Sequence, residues 1–230
     1  MVRYFLVKNY WGSGETREEL FYRRLQQSLV FRGREEGVAR EGQEIVSSSP
    51  CRMVVLNPPA DAHVGVPLSD GHVSGHGLNN RSVVTQLTCG SHTMLFAADV
   101  ERDGLSRMAR STSHGSIEVL KVPHHGAVSS LNRDWLASLH PRYAVFSAGR
   151  HNPYKHPATA VIDAYRSEGI TVLRTDRDGG VWFTGGVSDA ALQVHQAREL
   201  VWKPTNKTSC LWTCEQANWA RIWKQWRDRY

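Results

Sequence analysis

Leu120-Lys121-Val122-Pro123-His124-His125-Gly126-Ala127 carries two adjacent histidines at the end of an apolar run. Ile117 to Leu120 has the composition of a short strand, so the histidines fall on the loop that follows it. Asp99 and His156 each also come after a strand-like apolar run. Strand ends are rigid and meet at one edge of a sheet, so the pattern predicts a metal site assembled from three loops.

Composition limits the classes of protein to which the chain can belong. It has 230 residues, of which 40% are hydrophobic, and a mean hydropathy of −0.43. These values predict a soluble protein with its own core, and no apolar run approaches the ~20 residues that cross a bilayer. Met1 to Trp11 has neither the apolar stretch nor the cleavage site of a signal peptide, so the sequence gives no support for export.

Positive charge is concentrated near the C-terminus. The net charge is +6, and residues 200–230 carry six basic against two acidic residues. The remainder is close to neutral, so the net charge is a weak argument for nucleic-acid binding. Trp219, Trp223 and Trp226 share one predicted helical face in this tail. That face predicts packing on the domain, docking on a membrane surface or partner, or stacking on single-stranded nucleic acid.

Strand and helix patterns alternate along the rest of the chain. Apolar residues from Leu20 to Val30 have helical spacing, whereas residues 57–81 form a long polar segment without periodicity. Further strands are predicted at 4–7, 44–46, 53–56, 82–87, 93–97, 143–146, 170–173 and 181–183, and helices at 100–108, 131–139, 158–167 and 190–202. Several neighbouring strands have the pattern of hairpins, which predicts mixed sheets.

The four cysteines do not form a Cys-x-x-Cys pair. Cys51 and Cys89 lie in apolar strand-like runs and are predicted to be buried free thiols. Cys210 and Cys214 are spaced for a metal or a disulfide only if partners exist, and no histidine lies near them in sequence.

The motifs occur in an order that resembles a known family. Asn79-Asn80-Arg81-Ser82 opens a strand, and the run Leu95 to Asp99 and the double histidine follow. Next come Tyr154-Lys155-His156-Pro157 and Arg174-Thr175-Asp176-Arg177-Asp178-Gly179. From about Met53 to Gly185 the chain resembles the C-terminal metallo-β-lactamase-like domain of the ComEC/Rec2 competence proteins, which take up DNA across bacterial membranes.

The resemblance implies an α/β fold, an αββα sandwich with one or two zinc or manganese ions at an edge of its two sheets. It implies hydrolysis of a phosphodiester in a DNA strand during DNA uptake, with DNA and a membrane-embedded DNA channel as partners. It also implies a bacterial protein at the outer face of the cytoplasmic membrane. We predict two regions, a domain at 1–186 and the basic Trp-rich tail at 187–230.

Three departures from the family pattern bear on activity. The glycine before the metal aspartate is Ala98 here, and the serine after His-His-Gly is Ala127. The family's main ligand motif, His-x-His-x-Asp-His or the shorter Asp-x-Asp-His, does not occur in the chain. The sandwich is therefore predicted to be incomplete at its N-terminal side, with exposed sheet edge and apolar surface that favour aggregation.

The resemblance assigns roles to four residues of the metal site. Asp99 would bridge two metal ions, and its alternative role is a helix N-cap. His125 would bind metal and His124 would act in catalysis or contact phosphate, because adjacent side chains on an extended segment point in opposite directions. His156 would bind metal or contact substrate, and its alternative is a surface histidine.

Four further residues are predicted around this site. Lys121 would neutralise phosphate in the reaction or, alternatively, is solvated. Asn79, Asn80 and Ser82 would contact the substrate, and their alternative is ordinary turn chemistry.

Three functions compete at this point. The first is a metal-dependent phosphodiesterase or nuclease. The second is a catalytically impaired fragment that acts as a DNA-binding or scaffold module, which would bind DNA with a steep salt dependence but without turnover. The third is a metallohydrolase for a small molecule, which would be indifferent to DNA.

Overall fold

The computed structural model describes residues 7, 9–14, 20–48, 50–62, 75–111, 115–185 and 191–197. The strands are β1 (Tyr10–Gly12), β2 (Glu36–Val38), β3 (Glu44–Ser48), β4 (Cys51–Asn57), β5 (Val84–Cys89), β6 (His92–Phe96), β7 (Val119–Lys121), β8 (Tyr143–Phe146), β9 (Thr171–Arg174), β10 (Gly180–Thr184) and β11 (Gln193–Ala197). The helices are α1 (Leu20–Phe31), α2 (Gly75–Asn79), α3 (Arg102–Ser111), α4 (Arg133–Leu139), α5 (Thr159–Ser167) and α6 (Thr175–Asp178).

The main sheet has seven strands in the order β3-β4-β5-β6-β7-β8-β9. Its first four strands pair antiparallel, and β6 through β9 pair parallel, with α3, α4 and α5 in the connections. Parallel neighbours need such crossovers, whereas the β5–β6 hairpin needs only a tight turn. The predicted mixed α/β fold is confirmed.

The two faces of this sheet carry separate cores. Alternate residues such as Leu120 and Phe146 pack with α3, α4 and α5 around Trp135 and Leu105. Their neighbours in sequence, such as Val119, face the opposite way, where they pack against β10 and β11. A helical layer and a second, two-stranded sheet thus cover the parallel strands, because the period of side chains along a strand is two.

The sequence predicts a helix at residues 190–202, and this prediction is wrong. Residues Gln193–Ala197 form β11, which pairs antiparallel with β10. Val194 packs into the second core, and His195 stacks on Trp182 with ring centroids 5.4 Å apart. This alternation of inward and outward side chains fits a strand, and an apolar face at helical spacing in a short segment does not exclude one.

The residues that the structure describes all belong to one compact unit, Met1–Glu199. The division that the sequence predicts after residue 186 stays a prediction. Three predicted features lie outside the described residues, namely the strand at 4–7, the Cys210 and Cys214 pair, and the tryptophan stripe of the tail. In the part of the chain that the structure describes, no helix is long and apolar enough to cross a membrane.

The prediction of free thiols at Cys51 and Cys89 is also wrong. The two residues are direct partners in the β4–β5 ladder, with their Cα atoms 4.1 Å apart, and their sulfur atoms form a disulfide. The sequence pattern indicated that each cysteine lies in a strand, but the formation of the disulfide depends on the register between the two strands. The disulfide closes a loop with a sequence separation of 38 residues.

Candidate metal centre

Three loops converge at the carboxyl ends of the parallel strands β6, β7 and β8. Asp99 follows β6, the two histidines follow β7, and Ser147 and His156 follow β8. The register that pairs Phe96 with Lys121 and Lys121 with Val145 brings the three strand ends level. The sequence prediction that these strand ends meet is confirmed.

The closest pair of candidate ligands is Asp99 and His125. Nε2 of His125 lies 3.5 Å from Oδ1 of Asp99, and both side chains are nearly half exposed. Nδ1 of His125 lies 2.6 Å from the carbonyl oxygen of Ser147. A carbonyl can only accept, so Nδ1 carries the proton, and in the neutral imidazole Nε2 keeps its lone pair beside the Asp99 carboxylate.

This arrangement fits a metal ion. Two donor atoms that each lie about 2.1 Å from a tetrahedral ion are about 3.4 Å apart, close to the observed separation. A hydrogen bond from the other ring nitrogen to a backbone carbonyl is the usual support of a metal-binding histidine. The remaining ligands are not apparent, because within the described ranges no group of three His, Cys, Asp or Glu side chains is placed to hold a metal ion.

The backbone of the double histidine is left-handed, not extended. His124 and His125 have φ of 44° and 56°, and Gly126 has φ of 83°. The argument that an extended segment sends the two rings in opposite directions is therefore wrong, although their ring centroids are still 6.3 Å apart. Ala98 is also left-handed, with φ of 46°, which gives a physical reason for the glycine that the resembling family has at this position.

Gly126 has no room for a side chain. A Cβ atom there would lie 2.7 Å from Cδ1 of Phe146 and 2.8 Å from Cβ of Pro157. Both neighbours are buried, and Gly126 O also accepts the backbone N–H of Ala158 at 3.0 Å. Gly126 therefore allows the histidine loop and the His156 loop to approach each other.

We expect Gly126→Ala to lower the free energy of unfolding by about 3 kcal/mol, from left-handed strain and overpacking together. Chemical denaturation would measure this change. The matched control is Gly169→Ala, because Gly169 has φ of +73° but a Cβ atom added there would meet nothing within 4 Å. The control should lose only about 1 kcal/mol. Equal losses in the two variants would contradict the steric explanation.

Glu101 is a functional candidate that the sequence reasoning missed. Its side chain is 5% exposed, and its Oε1 accepts hydrogen bonds from Asn79 Nδ2 at 3.2 Å and Ser129 Oγ at 3.0 Å. Nδ1 of His124 lies 3.1 Å from the same oxygen without hydrogen-bond geometry. One signal in the sequence could have found Glu101, an acidic residue two positions after Asp99 and directly before helix α3. The burial of its side chain is visible only in the structure.

Asn80 caps helix α3 from another segment. Its Oδ1 accepts the backbone N–H groups of Glu101 and Gly104, each at 3.0 Å. The helix begins at Arg102, so the alternative role of Asp99 as its N-cap is wrong. Asn80 thus has a structural role, and its contact with substrate stays a prediction.

The buried side chain of Asn57 holds the segment from Asn79 to Ser82 in place. Nδ2 of Asn57 donates to the carbonyl oxygens of Asn80 and Ser82 at 3.0 and 2.6 Å. Arg107 in turn bonds Oδ1 of Asn57 and Oε2 of Glu41. Substrate contacts by Asn79 and Ser82 also stay predictions.

Lys121 is not a solvated lysine. Its side chain is 23% exposed, its Nζ donates to the carbonyl oxygen of Ala98 at 2.9 Å, and it lies 4.0 Å from Oδ1 of Asp99. Burial lowers the pKa of the ammonium group from its ordinary value, and the Asp99 carboxylate opposes this shift. The lysine therefore places a positive charge beside the Asp99 carboxylate of the candidate metal pair.

His156 lies on the far side of His124 from His125. The ring centroids of His156 and His124 are 5.9 Å apart, and those of His156 and Tyr154 are also 5.9 Å apart with nearly parallel planes. Burial lowers the pKa of His156, and so does the electrostatic influence of the neighbouring His124 and His125. The structure gives it no place in a three-ligand group among the described residues, and its role as a ligand stays a prediction.

The segment from Arg174 to Asp178 fixes the loop that carries His156. Oγ1 of Thr175 both donates to the carbonyl oxygen and accepts the N–H of Ala148, each at 2.9 Å. Arg174 donates two hydrogen bonds to Asp176 and so lowers the pKa of that carboxyl. This segment includes the short helix α6 and supports the site through its contact with Ala148.

Two clefts lie at opposite ends of the parallel strands. The smaller, about 250 Å³, borders the candidate metal centre and is lined by Asn80, Glu101, Arg102, Asp103, Val128 and Ser129. The larger, about 480 Å³, lies at the amino ends and is lined by residues such as Glu118, Arg142 and Thr171. Ligands of open α/β sheets bind outside the carboxyl ends of the strands, so the smaller cleft is the better candidate for substrate.

Curated relatives share the sequence of this region. ComE operon protein 3 of Bacillus subtilis is 31% identical over 160 residues, which are 68% of this chain and 19% of that protein. Competence protein ComA of Neisseria gonorrhoeae is 34% identical over 122 residues, 51% of this chain and 18% of that protein. Recombination protein 2 of Haemophilus influenzae is 33% identical over 114 residues, 50% of this chain and 14% of that protein.

The chain contains a ComEC-like domain. The resemblance predicted from the order of motifs is thereby confirmed. The ComEC-like chain spans less than a fifth of the length of each of these three relatives. No family model matches it.

One solved structure with a related chain path is a CmlA β-hydroxylase E377D mutant. It is 15% identical, has a TM-score of 0.39, and is matched over 65% of the ComEC-like chain and 34% of its own chain. A similarity at this level carries no argument about activity.

Proposed function

We propose that the ComEC-like domain is a metal-dependent phosphodiesterase that acts on a DNA strand during DNA uptake. The observation that carries the proposal is the Asp99–His125 pair, in which Nε2 of the histidine lies 3.5 Å from Oδ1 of the carboxylate and Nδ1 is held by the carbonyl oxygen of Ser147. Zinc or manganese, one or two ions, is the proposed cofactor. The names of two relatives, Competence protein ComA and Recombination protein 2, support DNA as the substrate.

The chemistry of the site suits a phosphodiester. A bound divalent ion would lower the pKa of water and stabilise negative charge on the phosphoryl oxygens. Asp99 and His125 would hold that ion, with Ser147 fixing the histidine tautomer. Lys121 supplies a positive charge beside the carboxylate, and His124 lies next to His125, where it can contact a phosphate oxygen.

A second candidate function is a DNA-binding or scaffold module without turnover. One observation favours it, because the described residues bring two candidate ligands together and not three. A site with two protein ligands binds metal weakly unless further donors complete it.

The location and partners of the domain follow from the same proposal. We propose an extracytoplasmic position beside a membrane-embedded DNA channel, in line with the ComEC/Rec2 resemblance. The Cys51–Cys89 disulfide supports this position, because disulfides persist in oxidising compartments and are rare in the cytosol.

Metal removal tests the enzymatic proposal. We expect the 230-residue chain to cleave an end-labelled DNA strand when Mn²⁺ or Zn²⁺ is supplied, and to lose that cleavage in EDTA. Elemental analysis of the chain dialysed at neutral pH should find about one or two ions bound per chain, because metal binding needs an ionised carboxylate and a neutral imidazole. Strand binding without cleavage under every metal tested would favour the scaffold instead.

A further inference from the structure

Tyr154 presents an unusually exposed aromatic ring beside the candidate metal centre. Its side chain is 77% exposed, although a tyrosine ring normally buries much of its surface. The ring lies nearly parallel to that of His156, at 16°, and His156 contacts the His124 ring in turn. Two ring-to-ring steps of 5.9 Å thus connect Tyr154 to a histidine of the site.

The loop that carries this ring is held rigid by Asn152. Its Oδ1 accepts the N–H of His156 at 2.9 Å, and its Nδ2 donates to the carbonyl oxygens of Gly149 and His156 at 2.8 and 2.6 Å. The loop is anchored outside this network as well, at Ala148 by Thr175 and at Ala158 by Gly126. A ring held in place before binding loses little conformational entropy when a ligand stacks on it.

The charged residues of the loop itself have one sign. Residues 149–158 include the exposed side chains of Arg150, His151 and Lys155, and they contain no Asp or Glu. An exposed aromatic ring flanked by cations is the combination with which proteins bind single strands, where bases stack and phosphates meet positive charge. The rim of a protein–protein interface is usually polar and mixed in charge, whereas this loop has basic residues and no acidic ones.

We infer that Tyr154 and His156 form a stacking platform for a base of a single-stranded nucleic acid. The platform positions the strand so that a phosphate next to the stacked base reaches His124. The inference deepens the proposed function, on which it rests for the identity of the substrate. It assigns Tyr154 a role in positioning the strand, and no role in the chemical step.

The test is equilibrium binding in EDTA at physiological salt, followed by fluorescence anisotropy. The probes are a short labelled oligothymidine and an oligonucleotide of the same length and charge whose sugars lack bases. The unsubstituted chain should bind the oligothymidine more tightly. Tyr154→Ala should weaken that binding by about tenfold and leave the abasic probe unchanged, and Tyr154→Phe should bind like the unsubstituted chain.

Phe31→Ala is the matched control, because Phe31 is an aromatic residue of α1 that is 92% exposed. It should bind both probes like the unsubstituted chain. Equal affinity of the unsubstituted chain for the two probes, or an unchanged affinity in Tyr154→Ala, would overturn the platform. So would a loss on Tyr154→Ala that affects binding to anionic lipid vesicles and not to the oligothymidine.

Because EDTA prevents metal-dependent turnover, this test is separate from the test of the enzyme. Base-dependent binding through Tyr154 without cleavage in added metal would refute the phosphodiesterase and leave the platform standing. Cleavage that is insensitive to Tyr154→Ala, with binding that is also insensitive, would refute the platform alone.

Discussion

Asp99→Asn is expected to reduce DNA-strand hydrolysis by about a thousandfold while the domain stays folded. The substitution keeps the shape of the side chain but removes the charge that would hold a cation beside Nε2 of His125. A metal ion contributes several kcal/mol of transition-state stabilisation, and each 1.36 kcal/mol corresponds to about a tenfold change in rate. The measurement is the initial rate of cleavage of an end-labelled strand at saturating Mn²⁺.

Because Asp99 is about half exposed, an effect of the substitution on the rate can be separated from an effect on folding. Little buried packing is lost, so the free energy of unfolding should change by less than about 0.5 kcal/mol. Asp163→Asn is the matched control, because Asp163 is an exposed aspartate on α5. It should cleave like the unsubstituted chain. Equal rates in the two variants would remove Asp99 from the mechanism.

Removal of the Cys51–Cys89 disulfide should lower the free energy of unfolding by about 4 kcal/mol. The bond closes a separation of 38 residues, and the loss of chain entropy in the unfolded state grows with the logarithm of the loop length. The measurement is guanidinium denaturation of the double variant Cys51→Ser, Cys89→Ser beside the unsubstituted chain.

Reduction provides an independent form of the same experiment. The unsubstituted chain in a phosphine reductant should match the double serine variant, and the variant itself should not respond to the reductant. A transition midpoint that is the same in oxidised and reduced chains would show that the bond does not stabilise this fold. Hydrolysis measured on the reduced chain would also show whether the strands at the disulfide, β4 and β5, contribute to the site.

The placement of the site could be predicted because it depends on local patterns. Apolar runs that end in Asp99 or in the double histidine mark strands, and parallel strands bring their carboxyl ends to one edge. The β5–β6 hairpin follows from a turn between two alternating runs. Each of these features can be predicted from a few neighbouring residues, and the structure confirms each of them.

The rest depends on contacts between distant segments. The disulfide needs the register of β4 against β5, and the burial of Glu101 needs Asn79 and Ser129 from two other loops. The cap of α3 comes from Asn80, which lies outside the helix and its flanks. Lysine is usually a surface residue. The partial burial of Lys121 depends on contacts such as its hydrogen bond to the carbonyl oxygen of Ala98. No window along the chain contains this information.

The left-handed histidine turn shows a different difficulty. His124 and His125 are not residues that favour positive φ as glycine does, so their propensity predicts an extended loop. The backbone N–H of His124 donates to the carbonyl oxygen of Ala98 at 2.9 Å, and that contact between two loops helps to hold the conformation. Strained backbone of this kind persists where the surroundings over-determine it, and it is enriched at functional sites.

The loop closed by Asn152 is a unit that protein engineers could exchange. The side-chain hydrogen bonds of Asn152 run between Gly149 and His156, within the loop itself, and the loop meets the body at Ala148, at Ala158 and through the hydrogen bond from Nε of Arg150 to the carbonyl oxygen of Asp176. A new ring at position 154 would replace a largely exposed side chain whose ring contact is with His156. Preference for one base over another can diverge in these few residues while Asp99 and His125 stay as they are, so substrate choice and metal binding form separate modules of this surface.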